Sequence, residues 1–69
     1  MPNEEKEHWY VLYWKTGKTE LVRGTDITKA FANAGYGYGA ISALDLYTLG
    51  TTVTHEWTGK KWIRIKMGS

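Results

Sequence analysis

Sixty-nine residues, no cysteine and a net charge of +2 bound this chain before any motif is read. The length holds one domain, near the size where a single core barely suffices, and neither a disulfide framework nor a thiolate zinc site can staple it. A mildly basic balance does not by itself declare a polyanionic partner.

Packed side chains must then supply the stability, and four Trp, five Tyr and one Phe offer large ones. Self-association is the other common remedy at this size. The charge is unevenly spread. Residues 1–8 hold three Glu and one Lys, so the remainder carries +4, much of it at Lys60, Lys61, Arg64 and Lys66. No run of about 18 apolar residues occurs, so no transmembrane span is expected. The opening residues 1–7 are acidic and polar, unlike a secretion signal, and read as a frayed terminus. A cytoplasmic protein is expected, within a single domain spanning residues 1–69.

Residues 8–15 (HWYVLYWK) are rich in aromatic and β-branched side chains and predict a strand. Alternation places Trp9, Val11 and Tyr13 on one face and His8, Tyr10, Leu12 and Trp14 on the other. Both faces are apolar, so the strand should be central and covered on two sides. Thr16-Gly17-Lys18 predicts a tight turn with Gly17 at positive φ, and residues 19–23 return. Thr25 is the expected helix cap, with Asp26 in the first turn. Ile27, Ala30, Phe31 and Ala34 then form one apolar stripe, and Gly35 should end the helix in the left-handed conformation.

After Gly39 the pattern predicts a second helix over residues 40–49, closed by Gly50. Ala40, Ala43, Leu44 and Tyr47 make a stripe that Leu46 and Leu49 widen, leaving only Ser42, Asp45 and Thr48 polar. So apolar a helix needs cover on more than one side. Residues 51–57 and 61–67 read as a second hairpin about Thr58-Gly59-Lys60. The expected fold is α+β, in the order ββααββ: one four-stranded, mostly antiparallel sheet with both short helices packed on one face. The sheet's other face would stand uncovered.

Motifs for chemistry are thin. Gly17-Lys18-Thr19 ends like a phosphate-binding P-loop, but Leu12 replaces the earlier glycine and a strand follows, so a hairpin turn is the better reading. Gly35-Tyr36-Gly37-Tyr38-Gly39 precedes a predicted helix start, where backbone N–H groups attract anions. A flexible helix connection accounts for the same glycines. Two helices about a turn suggest DNA binding, yet Ser42, Asp45 and Thr48 include no residue suited to base edges or phosphate. His8 and His55 lie in different hairpins, and His55 and Glu56 point to opposite faces of a strand. No catalytic group, cofactor or metal site is therefore expected.

Two functional readings follow. The first is a non-enzymatic module acting through protein–protein contacts or as a homodimer, using Tyr36, Tyr38, Leu46, Tyr47 and Leu49. Its basis is too much apolar surface for one small body. The alternative is single-stranded nucleic-acid binding on a basic, aromatic sheet face, through Tyr10, Trp14, Lys15, Lys18, Trp57, Lys60, Lys61, Trp62, Arg64 and Lys66, since cations beside stacking rings are what such strands require. Small size, absent cysteines, a Trp/Tyr-rich sheet and a lipophilic second helix resemble in style the small accessory proteins of phages and bacteria, and no residue role is carried over from that likeness.

Overall fold

The computed structural model describes residues 6–65. Most of the segment 1–7, and with it Lys66 and Met67, lies outside the described residues. The order is β1 (His8–Trp14), β2 (Thr19–Gly24), α1 (Ile27–Asn33), a 3₁₀ helix (Tyr38–Ala43), β3 (Leu44–Leu49), β4 (His55–Trp57) and β5 (Trp62–Arg64). Among the described residues the fold is mixed α and β, with antiparallel strands throughout and one α-helix.

β1 is the centre, as its two apolar faces require. β2 and β3 flank it in the order β2-β1-β3, while β4 and β5 form a separate two-stranded ribbon. Tyr10 and Leu12 join Val22, Ala30 and Phe31 in a buried cluster beneath α1. On the opposite face Val11 and Tyr13 are also buried. There the β4–β5 ribbon lies over Tyr13, with the His55 and Trp62 rings edge-on to it at 5.1 and 5.0 Å. The Trp62 indole also donates to the Trp14 carbonyl at 2.9 Å. Helix, sheet and ribbon thus make three layers. One four-stranded sheet with a bare second face does not form.

Tyr13 pins two of these layers together. Its hydroxyl accepts the Thr54 N–H at 2.9 Å and shares hydrogen bonds with the Thr48 and Thr54 hydroxyls at 3.3 and 3.2 Å. Burial raises the pKa of this hydroxyl. The hydrogen bonds from Thr48, Thr54 and the Thr54 and His55 backbone outweigh that and leave it below the ordinary tyrosine value.

The first turn and helix follow local chemistry. Gly17 has φ 93°, and its N–H donates to the Trp14 carbonyl at 2.9 Å, closing the first hairpin. The helix cap is Asp26, one residue later than the sequence suggests; its carboxylate accepts from the Lys29 N–H at 2.8 Å. Asp26 is extended, so its carboxylate reaches back over the first turn, as a cap must. Gly35, at φ 91°, ends the helix. Its N–H bonds to the Ala32 carbonyl at 3.0 Å and that of Tyr36 to the Phe31 carbonyl at 3.0 Å. Together these two bonds define a Schellman ending, and the Phe31 and Tyr36 rings supply its apolar contact, centroids 5.6 Å apart. Ala34, expected in the buried stripe, is exposed, because the chain is already leaving the helix there.

The second predicted helix is the main correction. Residues 38–43 form a 3₁₀ helix, and Leu44–Leu49 is a strand whose side chains alternate half-buried and exposed. Gly50, at φ 115°, ends a strand and caps no helix. β1 supplies the reason: its edge away from β2 carries a row of N–H and C=O groups that a neighbouring strand satisfies and a helix cannot. The second hairpin is shorter than predicted, three residues a side, and its Trp57 and Trp62 side packs inward while Ile63 is exposed.

Candidate protein-interaction edge

The register fixes which backbone groups remain unused. Trp14 N–H donates to the Lys18 carbonyl across the first hairpin, so Tyr10, Leu12 and Trp14 turn their backbone groups toward β2. Trp9, Val11 and Tyr13 turn theirs toward β3, and the Gly50 N–H accordingly donates to the Trp9 carbonyl at 2.7 Å. On β3, then, Leu46 and Thr48 bond to β1. Tyr47 and Leu49 present N–H and C=O groups away from the sheet, and the register shifts at Asp45, which has no partner on β1. Among the described residues β3 has no strand neighbour on that side, and no turn or loop bonds to these two.

The same residues carry the exposed side chains. Tyr47 is 47% exposed and Leu49 68%. The register puts both on the helix side of the sheet, opposite Leu12 and Tyr10. Tyr10 meets the Tyr47 ring edge-on at 5.9 Å. Asp45 is the one charge in the strand.

The opposite edge differs. β2 carries Glu20 and Arg23, and the Asn33 amide of α1 donates to the outward Arg23 carbonyl at 2.8 Å. Charged side chains and a covering helix are the usual means of keeping an edge from pairing with another chain. β3 has neither lysine nor proline; a bulge and the charge of Asp45 blunt its Leu44–Leu46 end, and the Tyr47–Leu49 end is open.

The remaining predicted residues are dispersed. Leu46, expected to be exposed on a helix, is half-buried opposite Tyr13 on the ribbon side. Tyr36 packs with Trp14 and Phe31, and its hydroxyl donates to Glu20 Oε1 at 2.5 Å. That hydrogen bond, helped by burial and the carboxylate's charge, holds Tyr36 above the ordinary tyrosine pKa. Tyr36 also lines a shallow groove of about 250 Å³ with Phe31, Gly37 and Ile41. The Tyr38 side chain lies outside the described residues. Sequence reasoning missed Ile41, whose exposure only the 3₁₀ geometry reveals.

The residues of the nucleic-acid reading fall on two layers. Tyr10 is buried under α1, and Trp14 sits among Phe31, Tyr36 and Glu20, its indole donating to the carboxylate at 3.3 Å. Trp57 and Trp62 belong to the ribbon on the far side, their rings 5.4 Å apart. Trp57 covers Gly17, where an added Cβ would lie 2.8 Å from the indole. That contact sets the two Thr-Gly-Lys turns side by side, with Lys15, Lys18, Lys60 and Lys61 exposed around them. Arg64 is exposed opposite His55, and Lys66 lies outside the described residues.

Groups for catalysis or metal binding do not gather. Among the described residues, no three of His, Cys, Asp and Glu come together, and no buried side-chain nitrogen or oxygen lacks a partner. His8 sits at the opposite end of β1 from the Tyr13 ring on which His55 packs. No helix among the described residues is long and apolar enough to cross a membrane.

The class these observations define is a small three-layer α+β fold with one guarded and one open sheet edge. Compared with protein-family models, curated proteins and solved structures, the chain matches none.

Proposed function

We propose that this chain is a non-enzymatic protein-binding module that accepts an extended polypeptide segment as an added strand along β3. One observation carries the reading: the outward backbone groups of Tyr47 and Leu49 on an edge strand, beside their exposed side chains. In strand addition, main-chain hydrogen bonds supply affinity and alternate side chains supply selectivity. Tyr47 and Leu49 would select apolar residues two apart, and the nearby Asp45 charge would favour a cationic peptide over an acidic one. The cysteine-free composition suits a cytoplasmic setting.

Selection of random extended peptides on the purified protein tests this. Enriched sequences should alternate apolar and polar residues, and their binding should weaken at least about tenfold in Tyr47→Lys, since about 1.4 kcal/mol is a factor of ten. Peptides that bind the variant as tightly as the parent protein would remove β3 as the site.

A second reading, single-stranded nucleic-acid binding, draws on the adjacency of the two lysine-bearing turns. It needs the phosphate backbone to meet Lys15, Lys18, Lys60 and Lys61 together, with Trp57 as the nearest ring. Labelled single strands should then bind at low ionic strength and release as salt rises. No binding at low salt ends this reading.

A further inference from the structure

We infer that the recess between the first hairpin and the loop after α1 binds an alkylated ammonium group, with Glu20 as its counter-charge and Trp14 and Tyr36 as its aromatic walls. The site is independent of the strand-addition reading, since Glu20 lies on β2, across β1 from the open β3 edge. Trp14, Lys18, Thr19, Glu20 and Tyr36 line this open recess of about 400 Å³.

The carboxylate is the first observation. Glu20 is half-buried, and the Trp14 indole and the Tyr36 hydroxyl both donate to its Oε1, at 3.3 and 2.5 Å. Both donors are neutral. Among the described residues Oε2 receives no protein donor, and the one ion pair is Arg23 with Glu7. A partly desolvated negative charge is thus held beside aromatic rings with no cation paired to it, an arrangement that favours a cationic ligand. The rings are the second observation. Trp14 and Tyr36 stand 5.1 Å apart at a tilt of 59°, and Phe31 backs them at 5.9 and 5.6 Å. Aromatic faces attract cations, and the one cation over a ring among the described residues is Arg23, on Trp9.

The hydrogen bonds to Glu20 fix both rings in advance, so little ordering is left for a ligand to impose. An alkylated ammonium suits these walls because its charge is spread over methyl groups that pack on ring faces without needing acceptors. A primary ammonium has three N–H donors to satisfy, and the carboxylate offers it one free oxygen. Lys18 is exposed at the mouth, where its charge opposes the ligand.

Titration of the full chain with choline chloride, at constant ionic strength and followed by the indole N–H resonances, tests the proposal. The Trp14 signal should move and saturate, while those of Trp9, Trp57 and Trp62 stay in place. The neutral isostere of choline, with carbon in place of nitrogen, should bind at least about tenfold more weakly. Glu20→Gln keeps an oxygen for both donors and should weaken choline by a similar factor, with the Trp14 resonance still where the folded chain has it. Lys18→Ala lies outside those hydrogen bonds and should tighten binding. A short peptide bearing trimethyllysine should compete with choline; tighter binding than choline would assign the group to a methylated side chain, and weaker binding to a free ammonium compound. An unsaturable or absent Trp14 shift, equal binding of the isostere, undiminished binding in Glu20→Gln, or weaker binding in Lys18→Ala would each overturn the inference.

Discussion

Replacing Gly24 with alanine should lower the thermal unfolding midpoint by roughly 5–20 °C, from a loss of about 1–3 kcal/mol. Gly24 ends β2 directly beneath α1. A Cβ built there lies 2.4 Å from the Ala30 backbone nitrogen and 2.7 Å from its Cα. Those are main-chain atoms inside a helix, so no rotamer change relieves the overlap; α1 has to move off β2. Ala30 and Phe31, buried against the sheet, would move with it. Domains hold about 0.05–0.15 kcal/mol per residue, so a chain of this length has roughly 3–10 kcal/mol in all. Circular dichroism melting checks the result, and a midpoint unchanged within error would mean the helix does not sit as close as described. The requirement is one of space, since Gly24 is not among the glycines at positive φ.

The second large effect belongs to Tyr13. Tyr13→Phe keeps the ring and its contacts with His55 and Trp62 but removes the hydroxyl that accepts the Thr54 N–H. The Thr54 N–H is part-buried, so leaving it without this partner costs toward the lower end of the about 1–3 kcal/mol of a buried donor. The loss should fall on the ribbon first. Collisional quenching of Trp57 and Trp62 fluorescence should rise under conditions where the far-ultraviolet spectrum is still native. Tyr13→Ala also vacates the space of a fully buried ring, for about 3–5 kcal/mol, and should leave little folded protein. Equal quenching in Tyr13→Phe and the parent chain would show that the hydroxyl does not fasten the ribbon to the sheet.

Much of this architecture is written locally. Trp9 to Trp14 alternate with apolar residues on both faces, and a strand so built has to lie in the middle. Gly17 and Gly35 stand where the backbone needs positive φ, and Ile27, Ala30 and Phe31 mark one side of α1. Leu44 to Leu49 are different. Six residues with three leucines and a tyrosine fit a helical stripe and a strand about equally, and so short a window cannot choose between the periods. The choice is tertiary: the vacant edge of β1 draws the segment into the sheet. The apolar excess around Tyr47 and Leu49 is visible in the sequence, but its form is not, because an open backbone edge depends on which neighbour a strand lacks. The closeness of the two Thr-Gly-Lys turns is hidden for the same reason, since it depends on Trp57 reaching Gly17 across layers.

The sheet order also bears on how the chain comes to its shape during synthesis. β1 and β2 adjoin in sequence and α1 follows at once, so one side of the molecule can form from near neighbours. Tyr10 to Trp14 wait for residues 44–49 to emerge before their other flank is closed. Until then the most aromatic segment of the nascent chain offers a bare flank to any strand nearby, and the slow step is the return of a distant segment to the first one made.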